Sequence, residues 1–372
     1  MRWQWKKIGA LFVVGLVVTG LAVATWFLTR PPKPAAMVDP APYGRRITSG
    51  GLLANYYPVK GGTRGPGIVL LGGSEGGLAR DLTRQAVLLQ TSGFSVLHIA
   101  YHNAPGKPAH LASVPLEDFR RGLDWLKARP EVDAKRIGIV GYSKGAEAAL
   151  LVATRYPGIK AAVAGMPSSV VWDGLSPLSI FLSLHSSWTD GERQIPALEY
   201  GSFERDRGML SVFEGGLKTL AEHPDTVIPV ERFAGRLLLV CGERDSLWPS
   251  CQMADQIVAR AAKAGRPPTL LRYAEAGHGV MGAPGLATDR DIRAFAKLGG
   301  TAKANAAARA DSWPKIIAFL KNTLETHGIK PPVQSSYDPG GRSSSPCTSR
   351  PPLLSRQLCR RSIPTRPLRE RF

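Results

Sequence analysis

The chain has 372 residues, enough for one large domain or two ordinary ones with a sizeable core. Hydrophobic residues at 44% and charged residues at 21% exclude a chain that is disordered, collagenous or coiled-coil throughout. Four cysteines, none in a Cys-x-x-Cys pair, argue against a disulfide scaffold or a structural zinc site. The net charge of +19 invites a nucleic-acid reading, but much of it sits at the two ends, and the +9 left between residues 31 and 330 forms no basic run. No nucleic-acid partner, metal or cofactor is expected.

Residues 8–28, IGALFVVGLVVTGLAVATWFL, carry no charge for 21 positions. As a helix they would span about 31 Å, near the hydrocarbon thickness of a bilayer. Arg2, Lys6 and Lys7 precede them, and Trp3, Trp5 and Trp26 stand where an interfacial aromatic belt would lie. Residues 1–28 are therefore expected to be a signal anchor or transmembrane segment. A cleaved signal peptide is the alternative, because Ala22-Val23-Ala24 has the small-x-small cleavage pattern. Both place the rest of the chain outside the cytoplasm. Residues 29–45 read as a proline-rich linker. Residues 331–372 hold eight Pro, eight Ser and eight Arg without apolar periodicity, and are expected to be a disordered basic tail.

From residue 46 to 330, apolar runs alternate with amphipathic stretches, the signature of an α/β fold with a mostly parallel sheet covered on both faces. Strands are expected at 67–71, 94–100, 136–141, 161–164, 236–241 and 268–273. Helices are expected near 80–92, 115–128, 144–156, 250–264 and 311–326. Residues 168–233 show no clean strand but carry Trp172, Phe181, Trp188, Tyr200 and Phe213. Aromatics in that number point to a cap-like insertion rather than a solvated loop.

Gly141-Tyr142-Ser143-Lys144-Gly145 follows the strand RIGIV and opens the helix GAEAALLVATRY. Strand, tight turn and helix form the context of a nucleophile elbow, in which Ser143 stands at a helix N-terminus that favours developing negative charge. A serine hydroxyl needs a base, and the base needs an orienting acid. In this fold the order is serine, acid, histidine, each on a loop after a strand. Asp245 follows RLLLVC and His278 follows PTLLRY. Glu243 is the rival acid, closer to the strand end, and Asp255 is expected inside the next helix. For an oxyanion hole the glycine-rich segment 71–77 (LGGSEGG) offers the Ser74 N–H, to be joined by that of Lys144. Glu75 and Lys144 would either pair across the mouth of the site or stay solvated.

Together the strings GYSKGAEAALLVA, VPLEDFRRGLDWL, PEVDAKRIGIVG, LGGSEGG, SSVVWDGLS and CGERDSLWPSCQMADQI resemble the acyl-CoA thioester hydrolase / bile acid-CoA:amino acid N-acyltransferase family, specifically its C-terminal catalytic domain. The resemblance covers about residues 50–330. It implies an α/β-hydrolase cleaving thioesters through Ser143, Asp245 and His278. The family's eukaryotic members carry a β-sandwich domain where this chain has an apolar segment and a linker. Its transferases use cysteine at the elbow, and serine here favours hydrolysis. An extracytoplasmic position would separate the site from cytoplasmic acyl-CoA, which leaves a carboxylesterase or dienelactone-hydrolase-like activity as an alternative. A non-catalytic binding protein of the same fold is the alternative from another class.

Overall fold

The computed structural model describes residues 2–61, 64–177, 179, 183, 185–285 and 298–325. The expected tail at 331–372, Phe181, and the end of the 46–330 domain beyond residue 325 lie outside the described residues. Residues 1–327 form one compact unit.

The strands are β1 (Arg45–Ile47), β2 (Ala54–Tyr57), β3 (Gly65–Leu71), β4 (Ser95–Ile99), β5 (Val114–Pro115), β6 (Val132–Tyr142), β7 (Ile159–Gly165), β8 (Trp188–Asp190), β9 (Arg193–Gln194), β10 (Arg236–Gly242) and β11 (Thr269–Tyr273). The helices are α1 (Arg2–Thr29), α2 (Arg80–Thr91), α3 (Glu117–Lys127), α4 (Lys144–Arg155), α5 (Met209–Leu217), α6 (Ser250–Lys263) and α7 (Ala302–Leu324). Eight strands form one sheet in the order β1-β2-β4-β3-β6-β7-β10-β11. Only the β1–β2 and β2–β4 pairings are antiparallel; the rest are parallel.

All six expected core strands are present. In five of them the apolar run matches a run of buried residues, as a sheet covered on both faces requires, while β11, at the edge of the sheet, is only partly buried. On one face α3, α4 and α6 supply Phe119, Ala149 and Ile257 to the core. On the other, α2 and α7 supply Leu82, Leu89, Trp313 and Leu320.

Three differences from the expectation have physical reasons. β1 and β2 carry no readable signal because strands of three and four residues are too short for periodicity to declare itself. The interval 168–233 does contain strands: β8 pairs with β5 and β9 in a small separate sheet, and they are only two or three residues long. α7 starts at Ala302 rather than near 311, because AKANAAARA has high helix propensity but little amphipathic pattern. The Thr301 hydroxyl caps it, accepting from the Ala304 N–H at 3.0 Å.

α1 is the one helix among the described residues long and apolar enough to cross a membrane, and its side chains from Phe12 to Phe27 are all exposed.

Candidate active site

β6 delivers the chain to Ser143, which adopts φ 53° and ψ −122°, a region costly for any residue with a Cβ. Two glycines make that turn possible. A Cβ on Gly141 would overlap the Gly145 carbonyl oxygen, and one on Gly145 would overlap that of Gly72. The first turn of α4 therefore lies directly against the end of β3. The Ser143 N–H is held by the Gly165 carbonyl at 2.9 Å, which anchors the elbow to β7.

The three loops after β6, β10 and β11 bring Ser143, Asp245 and His278 together. His278 Nε2 lies 2.9 Å from Ser143 Oγ, and its Nδ1 lies 2.8 Å from Asp245 Oδ2. The second Asp245 oxygen accepts from the Leu247 and Trp248 N–H groups at 3.0 and 3.2 Å. Both carboxylate oxygens are thus engaged and the carboxylate cannot turn away from the imidazole. Trp248 stands edge-on to the His278 ring at 5.7 Å and closes that side to water. The disulfide Cys241–Cys251 ties β10 to α6 and brackets the loop that presents Asp245. The rival acids are elsewhere: Glu243 and Asp255 both pair with Arg272 on β11 at the surface.

Sequence reasoning missed Asn305. It is fully buried on α7, accepts from the Gly277 N–H at 2.9 Å, and donates to the Gly299 carbonyl at 3.1 Å. It thereby fixes the residue before His278. An asparagine inside an alanine-rich helix is the one signal that could have marked it.

The glycine-rich segment after β3 faces the elbow. The Gly73 N–H is taken by Glu75 Oε1 at 3.0 Å. Among the described residues no internal acceptor engages the N–H of Ser74 or Lys144. Neither alternative for Glu75 and Lys144 holds: they do not pair, and Lys144 is not solvated. Lys144 turns inward and pairs with Glu147 at 2.7 Å, because one helical turn brings the two residues together under the elbow. The apolar groups around it in the cleft partly desolvate the Glu75 carboxyl and push it above the usual carboxylate range, although Glu75 remains exposed at the cleft mouth. Asp173, buried away from the cleft, is pushed up to about 6 by desolvation.

A cleft of about 530 Å³ opens at Ser143 and His278, walled by Leu82, Met166, Leu247 and Met281 with Arg84 and Arg309. No described residue of the interval 168–233 is among its lining residues. There Tyr200 stacks on Trp172, Phe213 meets both edge-on, and Phe213 reaches Trp248, behind His278. A second cavity, about 590 Å³ between Val227, Ile257 and Arg260, contains none of the three residues.

The strand order, with a serine on a strained turn between a central parallel strand and its helix, defines an α/β-hydrolase. Residues 114–326, more than half of the chain, match the family described as BAAT / Acyl-CoA thioester hydrolase C terminal. The chain belongs to that family. It is 28% identical to acyl-coenzyme A thioesterase 1 of Rattus norvegicus over 289 residues, covering 72% of this chain and 62% of that protein. To bile acid-CoA:amino acid N-acyltransferase of Mus musculus it is 30% identical over 264 residues, covering 70% of this chain and 60% of that protein. The chain thus spans about three-fifths of the length of these relatives. Among solved structures, the Pyrococcus furiosus esterase Pf2001 aligns with a TM-score of 0.48 and 18% identity, over 79% of this chain and all of that one.

Proposed function

We propose that this protein is a serine hydrolase that cleaves acyl thioesters of the acyl-CoA type through a covalent acyl-enzyme. The observation that carries the reading is His278 bridging Ser143 and Asp245 with both ring nitrogens. His278 Nε2 takes the Ser143 proton as Oγ attacks the scissile carbonyl carbon. The negative charge gathers on the carbonyl oxygen, toward which the Ser74 and Lys144 N–H groups are free to donate. Asp245 holds the imidazole in the tautomer that exposes a basic Nε2 and stabilises the imidazolium that forms. That imidazolium protonates the departing thiolate or alkoxide. A water then enters, gives its proton to Nε2 and attacks the acyl carbon, returning Ser143 and releasing the acid. Support for thioesters comes from the family and from the names of its thioesterase members.

A second reading, an extracytoplasmic carboxylesterase of dienelactone-hydrolase type, is favoured by one observation. A disulfide persists in oxidising compartments, and Cys241–Cys251 lies beside the acid. With α1 as a membrane anchor and its basic N-terminal flank inside, residues 29–372 lie outside the cytoplasm, or are released there if α1 is cleaved as a signal.

The test is the full chain in detergent, assayed on acyl-CoA esters of increasing chain length beside simple aryl esters. Thioester turnover that Ser143→Ala lowers at least ~10³-fold, with an unchanged circular dichroism spectrum, is expected. Retention of more than a tenth of the activity would overturn the nucleophile assignment, and turnover of aryl esters alone would select the second reading. Alkaline phosphatase fused after Lys330 reports the compartment, since that reporter is active only outside the cytoplasm.

A further inference from the structure

Beneath the elbow lies a polar network that the chemistry above does not use. The Lys144 and Glu147 side chains are 2% and 0% exposed, with Nζ 2.7 Å from Oε2. The other Glu147 oxygen, Oε1, accepts from the Trp188 indole N–H at 2.7 Å and from the Trp172 backbone N–H at 3.1 Å. Lys144 Nζ also stands 5.7 Å from the centre of the Trp188 ring. Trp188 in turn packs against Tyr101, their ring centres 5.8 Å apart. The Tyr101 hydroxyl donates to the Gly72 carbonyl at 2.5 Å and lies 3.2 Å from that of Gly73. The chain of contacts therefore runs from Lys144, the residue after Ser143, to the peptide that carries the Ser74 N–H.

Stability does not account for this arrangement. Taking two charges out of water costs several kcal/mol per ion, and a well-packed apolar pair of similar volume often serves a fold equally well. Burial pushes the Lys144 ammonium down and the Glu147 carboxyl up, and each partner opposes that push in the other. What a charged, multiply hydrogen-bonded group supplies and an apolar one does not is direction. Glu147 has three donors aimed at it from three segments of the chain, and only one backbone arrangement satisfies them all.

We propose that Glu147, Trp188 and Tyr101 are positioning residues that brace the two oxyanion donors, Ser74 and Lys144, against each other. This rests on the serine-hydrolase reading. The insertion then contributes to catalysis from below, through Trp188, without lining the cleft. A brace of this kind lowers the transition state by preorganisation and leaves ground-state binding alone.

Four variants of the full-length protein test it: Trp188→Phe, which removes one N–H and keeps a ring; Tyr101→Phe, which removes one hydroxyl; the neutral pair Lys144→Met/Glu147→Gln, which keeps an acceptor for both tryptophans; and Glu147→Ala, which removes that acceptor. The single variants should lower kcat about tenfold with KM within twofold, and the neutral pair should lose less than Glu147→Ala. Affinity for a trifluoromethyl ketone, which forms a tetrahedral oxyanion on Ser143, should fall by the same factor as kcat. Affinity for an uncleavable thioether should not move. Equal losses for ketone and thioether would make the network merely structural and overturn the proposal, as would folded Trp188→Phe and Tyr101→Phe variants with wild-type kcat and ketone affinity. Turnover or ketone affinity that survives Ser143→Ala would instead overturn the hydrolase reading itself.

Discussion

Gly145 in the first turn of α4 lies so close to Gly72 at the end of β3 that a single added methyl group would overlap the Gly72 carbonyl oxygen. Gly145→Ala must therefore push the elbow and the glycine-rich loop apart. The expected loss is about 10²-fold in kcat/KM, because misplacement on the scale of an ångström has that effect on a preorganised site. Steady-state kinetics beside a thermal melt checks it. A variant that melts as wild type and turns over as wild type would mean that this approach is not needed for catalysis.

Asp245→Asn should preserve the fold and slow the reaction about 10⁴-fold. An amide facing Nδ1 selects the tautomer whose Nε2 carries the proton and cannot act as a base. The side-chain oxygen that accepts from Leu247 and Trp248 remains available, so the loop keeps its shape. Single-turnover kinetics should place the loss in acylation, and a loss below tenfold would show that Asp245 does not orient the base.

The Cys241–Cys251 bridge closes a loop of about ten residues around Asp245. Replacing both cysteines by alanine is expected to cost about 2–3 kcal/mol of stability. It should also lower kcat, since the acid's loop gains freedom. Mass spectrometry of membrane-extracted protein under non-reducing conditions reads the bridge directly. Free thiols at both positions would reject it.

His98, in the middle of β4, is fully buried, and neither ring nitrogen has a partner among the described residues. Burial holds its pKa down at about 3, with the Arg46 charge adding to the same effect. As pH falls from 6.5 toward 3, the unfolded chain takes up this proton and the folded one does not, so stability falls with falling pH in that window. His98→Leu removes the difference. Its thermal midpoint should gain on wild type steadily from pH 7 to pH 5. Parallel curves across that range would show that His98 is not what acid acts on.

Much of this molecule is readable from local pattern. Five of the six apolar runs become strands because a strand buried on both faces must be apolar along its length, whatever its neighbours are; β11, at the sheet edge, follows the same pattern with only partial burial. Gly141 and Gly145 around Ser143 are readable because the elbow is a local strain that only glycines on either side can relieve. The places of Asp245 and His278 come from chain order, once a strand can be drawn before each. The apolar stretch at 8–28 declares itself by length alone.

What stays hidden depends on partners distant in sequence. Lys144 reads as a surface lysine, for which a salt bridge to Glu75 is as reasonable as water. It turns inward because the helix places Glu147 beneath it, and because Trp188, 41 residues beyond Glu147, closes the pocket from another sheet. Asn305 gains meaning only when α7 brings it to Gly277. The aromatic interval 168–233 announces burial but not its object, since hydrophobicity is non-directional. The fold turns those rings toward the underside of the elbow and the back of His278, where edge-to-face ring contacts and the Trp188–Glu147 hydrogen bond, which no composition or spacing encodes, decide which side chain faces which.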